Sequence, residues 1–273
     1  MRRDVRCSDC FLLGSERQWA CTYSLIPIES ADMSTLLHVV RPGQIFIKIC
    51  GLTNLADAAL CAELGVNAVG FLLQPEDAQK PRSDDEDRLS IADAISLVAG
   101  LPNGLLPVLL LHTVELATIL KYCETIRPGA LQVQKPVSPT DLAQVRKAFP
   151  GIAVIKKFSV VPGTTTLDSL WSEISHYTEA DAIDAILLDS KLGGRGEVHD
   201  WPLSAQLVER SASLPIILAG GLKPHTIGEA IRTVRPFGVD VMSAVTQGRE
   251  RRAFKDATAL RALVQSVREG AAP

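Results

Sequence analysis

From residue 45 onward, short apolar runs alternate with longer stretches whose apolar positions recur every three or four residues. The short runs are Ile45–Cys50, Ala68–Leu73, Leu106–Leu111, Ala130–Gln134, Ile152–Phe158, Ile183–Asp189, Pro215–Ala219 and Val239–Val241. Rich in Leu and β-branched residues, they predict strands. The stretches between them predict helices over 54–64, 90–100, 114–124, 138–148, 166–177, 202–210, 225–234 and 253–269. The strands read as unbroken apolar runs, AILLD and PIILA among them, not as alternating ones. Such strands are covered on both faces, as in a parallel sheet flanked by helices. Successive βα units need right-handed crossovers, and eight of them can close into a barrel without a free edge. An open doubly wound sheet is the competitor, and it ordinarily has fewer strands. The expected fold is therefore α/β, a (β/α)8 TIM barrel over 45–273, a length usual for that architecture.

Helix signals agree with these limits. Thr53-Asn54 offers an N-cap, Asp57 puts negative charge in the first turn that follows, and Gly65 stops that helix. Ser138-Pro139 opens another in the same way. Residues 1–44 carry no sustained period and are expected to be an N-terminal extension, poorly ordered or ahead of the true start. Met33 opens a segment, MSTLLHVVRPGQIF, that runs straight into the first strand.

Composition narrows the function classes. Hydrophobic residues at 47% and charged ones at 22% suit one sizeable core and exclude a disordered chain. A formal net charge of -3, from 28 basic and 31 acidic residues, argues against nucleic-acid or membrane-surface binding. Aromatics at 5% leave no base-stacking platform. No apolar run approaches the roughly 18–20 residues that span a bilayer, and the first residues lack a signal-peptide core, so a cytoplasmic location is expected. The six cysteines at 7, 10, 21, 50, 61 and 123 read as free thiols. Cys7-x-x-Cys10 is followed nearby only by Cys21, too few ligands for a zinc site, so no metal is expected.

In such barrels the chemistry sits where strands end and βα loops begin. The polar or glycine positions there are Cys50, Gln134, Asp189, Gly220-Gly221 and Ser243. Glycine-bearing stretches follow the sixth, seventh and eighth strands: Gly193-Gly194-Arg195-Gly196, Gly220-Gly221, and Ser243-Ala244-Val245 in the place of a third. Loops after the seventh and eighth strands commonly hold a phosphate, because glycine lets backbone N–H groups approach it closely. Each residue also has a bland reading. A cysteine at a strand end is often mere packing, an aspartate there often caps the next loop, and paired glycines serve turns everywhere.

The motifs taken together resemble phosphoribosylanthranilate isomerases. The resemblance rests on Lys48-Ile49-Cys50-Gly51-Leu52-Thr53, on Gly65–Phe71, and on Leu187-Leu188-Asp189-Ser190 with Asp200-Trp201. It continues through Leu218-Ala219-Gly220-Gly221-Leu222, Gly238-Val239-Asp240-Val241 and Lys255-Asp256, covering roughly 45–270. It implies an Amadori rearrangement of N-(5′-phosphoribosyl)anthranilate in tryptophan synthesis, with a phosphorylated small-molecule substrate and no cofactor. It further implies Cys50 as base and Asp189 as acid. A thiol, ordinarily titrating near about 8.5, serves as a base if its surroundings favour the thiolate. Leu187 and Leu188 would help keep the aspartate protonated by desolvation. The backbone of Gly220, Gly221, Ser243 and Ala244 would hold the phosphate. An arginine in the loop after the second strand would take the substrate carboxylate; Arg82 is favoured over Arg88, since the planar fork of Arg suits a carboxylate.

The chain departs from the family pattern at four places. Gln134 stands where the family has His, and His112-Thr113 follow a strand that there often ends Val-Asn. Ala244 replaces a glycine, bringing a Cβ and a φ requirement that Ala dislikes. Thr246 replaces an acid. Two alternatives therefore stand beside the isomerase: a non-catalytic barrel binding a phosphorylated metabolite, and an isomerase of a different aminosugar phosphate. The oligomeric state is open.

Overall fold

A computed structural model describes residues 36, 38–41, 43–74, 88–190, 200–211, 214–247 and 254–271. Its strands are β1 (Phe46–Ile49), β2 (Ala68–Leu73), β3 (Leu106–Leu111), β4 (Ala130–Val133), β5 (Ala153–Ser159), β6 (Ala185–Asp189), β7 (Ile216–Leu218) and β8 (Gly238–Val241). The helices are α1 (Leu55–Glu63), α2 (Ile91–Gly100), α3 (Leu116–Ile126), α4 (Pro139–Ala148), α5 (Leu167–Glu179), α6 (Trp201–Arg210), α7 (Ile227–Val234) and α8 (Ala257–Gly270). Each strand pairs in parallel with its sequence neighbour, and β1 pairs with both β2 and β8, which closes the barrel. The expected (β/α)8 architecture is present. A two-residue strand, Arg88–Leu89, adds itself in parallel to the end of β2 and lay outside the sequence expectation.

The helix starts follow from their caps. The Asn54 side chain accepts from the Asp57 N–H, and Ser138 accepts from the Asp141 N–H with Pro139 in the first turn. Gly65 has a φ of +74°, the left-handed turn that ends α1.

Successive residues of a strand face opposite sides, so every second side chain enters the barrel. Phe46, Ala68, Val108, Ala130, Ile155 and Leu187 belong to one buried cluster inside it. Two residues further along, the interior turns polar: Lys48, Gln132, Lys157 and Asp189. The barrel is thus an apolar plug below and a polar cup above. The floor is closed from outside the strands. Leu36 is fully buried in the inner cluster, Phe237 stacks on Phe46 at 5.5 Å, and Asn67 Nδ2 donates to the Val39 carbonyl at 2.6 Å.

On β5 the neighbour of Lys157 points the other way. Lys156 is buried between strand and helix, its Nζ 5.0 Å from the Phe158 ring centre and 5.4 Å from that of Tyr177. Burial lowers its pKa from 10.5 to about 8, with Glu173 opposing and Lys157 adding to the fall. A lysine whose folded pKa is depressed costs stability wherever it must be charged. That cost is fully present below about pH 8 and fades as pH rises toward 10.5. Lys156→Met is expected to raise stability at pH 7 by up to about 3 kcal/mol, less what the two rings return. It should also abolish the gain in stability between pH 8 and 10 that the parent is expected to show on urea unfolding. A Met variant less stable than the parent at pH 7 would show that the rings offset the burial completely.

Candidate active site

The polar cup opens into a cavity of about 300 Å³ at the C-terminal ends of the strands. Cys50, one residue past β1, and Asp189, the last residue of β6, both line it. Gly220, Gly221 and Ser243 line the same cavity. An adjoining hollow of about 330 Å³ contains Gly221, Ser243 and Ala244. It also holds Lys223 and His225, two basic residues that the sequence reading did not single out. The expected acid, base and phosphate loops therefore meet in one place.

Each group is held by its element. The Cys50 N–H donates to the Val241 carbonyl at 2.9 Å, continuing the β1–β8 ladder one residue beyond β1. The Cys50 carbonyl accepts from Lys255 Nζ at 2.7 Å. Lys255 is anchored in turn, its N–H donating to Asp57 Oδ2 at 2.9 Å. Burial pushes the Cys50 thiol above its ordinary value; Lys48 and Lys255 pull it back and Asp240 pushes it further. Cys61 and Cys123 are different thiols: buried in helices, each is pushed up to about 12. Neither lines the cavity.

Asp189 is not surrounded by apolar groups alone, as the sequence suggested. Its Oδ1 accepts from the Ser190 N–H at 2.8 Å, and Lys157 Nζ stands 3.4 Å from Oδ2. Register explains this. Lys157 is paired with Leu187, two residues before Asp189 on the adjacent strand, so a lysine side chain reaches the carboxylate.

Gly220 and Gly221 have φ of +80° and +66°, conformations that favour glycine. Ala244 does not share that requirement. It lies in a short 3-10 turn, Ser243–Val245, and is absent from the residues with positive φ. The expected backbone conflict at Ala244 is therefore corrected: the turn winds with negative φ, which alanine adopts freely. Thr246, in place of an acid, donates its hydroxyl to the Met242 carbonyl at 2.8 Å and so ties the turn shut.

Gln134 and His112, two of the departures, line the cavity. So do Gln132, Lys157 and Asp240, which the sequence reading passed over. Gln132 Oε1 is buried with no hydrogen-bond partner among the described residues. Arg82 and the Gly193–Gly196 stretch lie outside the described residues. Arg88 sits in the added strand, and its Nη1 donates to the Leu73 carbonyl at 3.4 Å. Among the described residues no three or more His, Cys, Asp or Glu side chains cluster as metal ligands. None of the described helices is long and apolar enough to cross a membrane.

Comparison with known proteins decides between barrel families. The family model for N-(5′-phosphoribosyl)anthranilate isomerase matches residues 110–266. The chain belongs to this family. A phosphoribosylanthranilate isomerase of Methanosarcina mazei is 35% identical over 232 residues, 81% of this chain and 94% of that one. The isomerase structure from Thermotoga maritima superposes with a TM-score of 0.66 at 27% identity, covering 83% of this chain and all of the other. A further isomerase, solved with reduced 1-(o-carboxyphenylamino)-1-deoxyribulose 5-phosphate, gives a TM-score of 0.63 at 27% identity with the same coverage. As a phosphoribosylanthranilate isomerase family member, the chain is an isomerase of tryptophan biosynthesis, and its substrate is a phosphorylated small molecule.

Proposed function

We propose that this chain converts N-(5′-phosphoribosyl)anthranilate to 1-(2-carboxyphenylamino)-1-deoxyribulose 5-phosphate in the cytoplasm, with Asp189 as acid and Cys50 as base. The carrying observation is that both side chains line one cavity that is continuous with the Gly220–Gly221 loop. The phosphate is held by backbone N–H groups of Gly220, Gly221, Ser243 and Ala244, and the ribose then lies between β1 and β6. Asp189 gives its proton to the furanose oxygen as the C1′–O bond breaks. The nitrogen lone pair closes a C1′=N iminium. Cys50, as thiolate, takes the C2′ proton, and the C–H electron pair becomes the C1′=C2′ bond of an enolamine. Tautomerisation moves a proton to C1′ and leaves the C2′ ketone. Atoms balance without any further reactant. A ribose hydroxyl would satisfy the unpaired Gln132 oxygen, whose isolation otherwise costs about 1–3 kcal/mol. Arg82 is the proposed partner of the anthranilate carboxylate.

The test is turnover of the anthranilate adduct, followed by its fluorescence, together with growth of a tryptophan auxotroph lacking this step. Turnover and rescue are expected. A folded protein that binds inorganic phosphate but turns over no adduct would favour the metabolite-binding barrel instead.

A further inference from the structure

Lys48 and Asp240 take no part in the steps just described, yet they form a buried ion pair under the cavity. The β1–β8 register sets the two residues side by side, and Lys48 Nζ lies 2.8 Å from Asp240 Oδ1. The lysine side chain is 0% exposed and the aspartate 8%. Such a pair contributes little net stability, because desolvating both ions offsets their attraction. An apolar pair would fill the barrel about as well, so the charges call for another explanation.

The geometry supplies one. A Cβ on Gly70 would stand 2.9 Å from Lys48 Nζ and 3.0 Å from Cys50 Sγ. Ammonium and thiol thus converge on the same small space, which exists because residue 70 has no side chain. Burial works against the charge on Lys48, but Asp240 and Cys50 more than offset it and hold the ammonium above its ordinary value. The other charged or titratable groups around the thiol are differently engaged. Lys255, ahead of α8, binds the Cys50 carbonyl and is braced by Asp57 of α1. Asp189 of β6 faces Lys157 of β5, and His112 after β3 lines the cavity.

We propose that Lys48 is a positioning residue whose ammonium is the counter-ion of the Cys50 thiolate, and that Asp240 shares this ammonium and tempers it. The proposal rests on Cys50 as the base. A buried thiolate needs a positive neighbour, and Lys48 provides one. Asp240 fixes where that charge sits and competes for it. The two halves of one ion pair therefore act on the thiol in opposite directions.

The experiment follows the Cys50 thiolate in two ways: the basic limb of kcat/KM against pH, and the rate of Cys50 alkylation by iodoacetamide, read on its own peptide by mass. Lys48→Met is expected to move both profiles to higher pH by at least about one unit, a tenfold loss of thiolate at fixed pH. Asp240→Asn is expected to move both to lower pH. Unchanged profiles in the Lys48 variant, or shifts of the same sign in the two variants, would overturn the proposal. Should Lys48→Met fail to fold, Asp240→Asn decides alone: a downward shift supports the proposal, and an unchanged or upward one defeats it. If Cys50→Ala keeps its turnover, the base assignment fails, while the alkylation profiles still report on Lys48 and the thiol.

Discussion

Asp189→Asn is expected to lower kcat at least about 10²-fold, the usual scale for a lost general acid. The amide has the size of the carboxyl group it replaces, and its oxygen can still accept from the Ser190 N–H that holds Oδ1 at 2.8 Å. The wall of the cavity is therefore preserved. What disappears is a proton that can move to the ring oxygen, together with the carboxyl oxygen that faces Lys157. The proposed phosphate loops follow β7 and β8, so competition by inorganic phosphate should be unaffected. kcat and kcat/KM should then fall together, the mark of an interaction made in the transition state. Steady-state turnover of the anthranilate adduct measures this, with circular dichroism to confirm folding. Turnover within about threefold of the parent would remove Asp189 from proton transfer, since no acid of ordinary importance is lost so cheaply.

The barrel was legible because its strands are covered on both sides and so read as apolar runs, with helical periods and caps between them. Asn54, Ser138 and Gly65 mark helix limits where the structure has them. What escaped has physical causes. Arg88–Leu89 is a strand of two residues, too short to show any period. Leu36 fills the floor of the barrel from a segment with no periodic pattern, since a plug needs one apolar residue and no repeat.

The site was legible to a different depth. Cys50, Asp189 and the Gly220–Gly221 pair stand at strand ends within a recognisable string of motifs, and they meet in one cavity. Lys48 and Asp240 stood within the motifs without a role assigned to them, and Lys157 is a charge in an otherwise apolar strand. A signal was present, because each has the inward parity of its strand. Their partners are set by register, which sequence separation hides: Lys48 and Asp240 are 192 residues apart. Ala244 was misjudged for a related reason. A glycine in a family motif suggests positive φ, but the turn in this chain winds as a 3-10 helix and makes no such demand.

Cys50→Ala is expected to lower kcat by at least about 10²-fold as well, and through the opposite proton. Alanine leaves the β1–β8 ladder and the Lys255 contact intact, because both use the Cys50 backbone. It leaves the Lys48–Asp240 pair intact too. Only the sulfur is removed, from a cup where burial holds the thiol above its ordinary value. Among the described residues no other thiol lines the cavity: Cys61 and Cys123 are buried in helices and pushed up to about 12. Ring opening by Asp189 still runs, so the defect should lie at C2′. A substrate deuterated at C2′ tests this directly. In the parent it slows turnover if proton removal limits the rate. In Cys50→Ala, where that step becomes the slowest, the isotope effect should be as large or larger. Near-normal turnover in the alanine variant, or loss of an isotope effect that the parent shows, would mean that another group removes the proton.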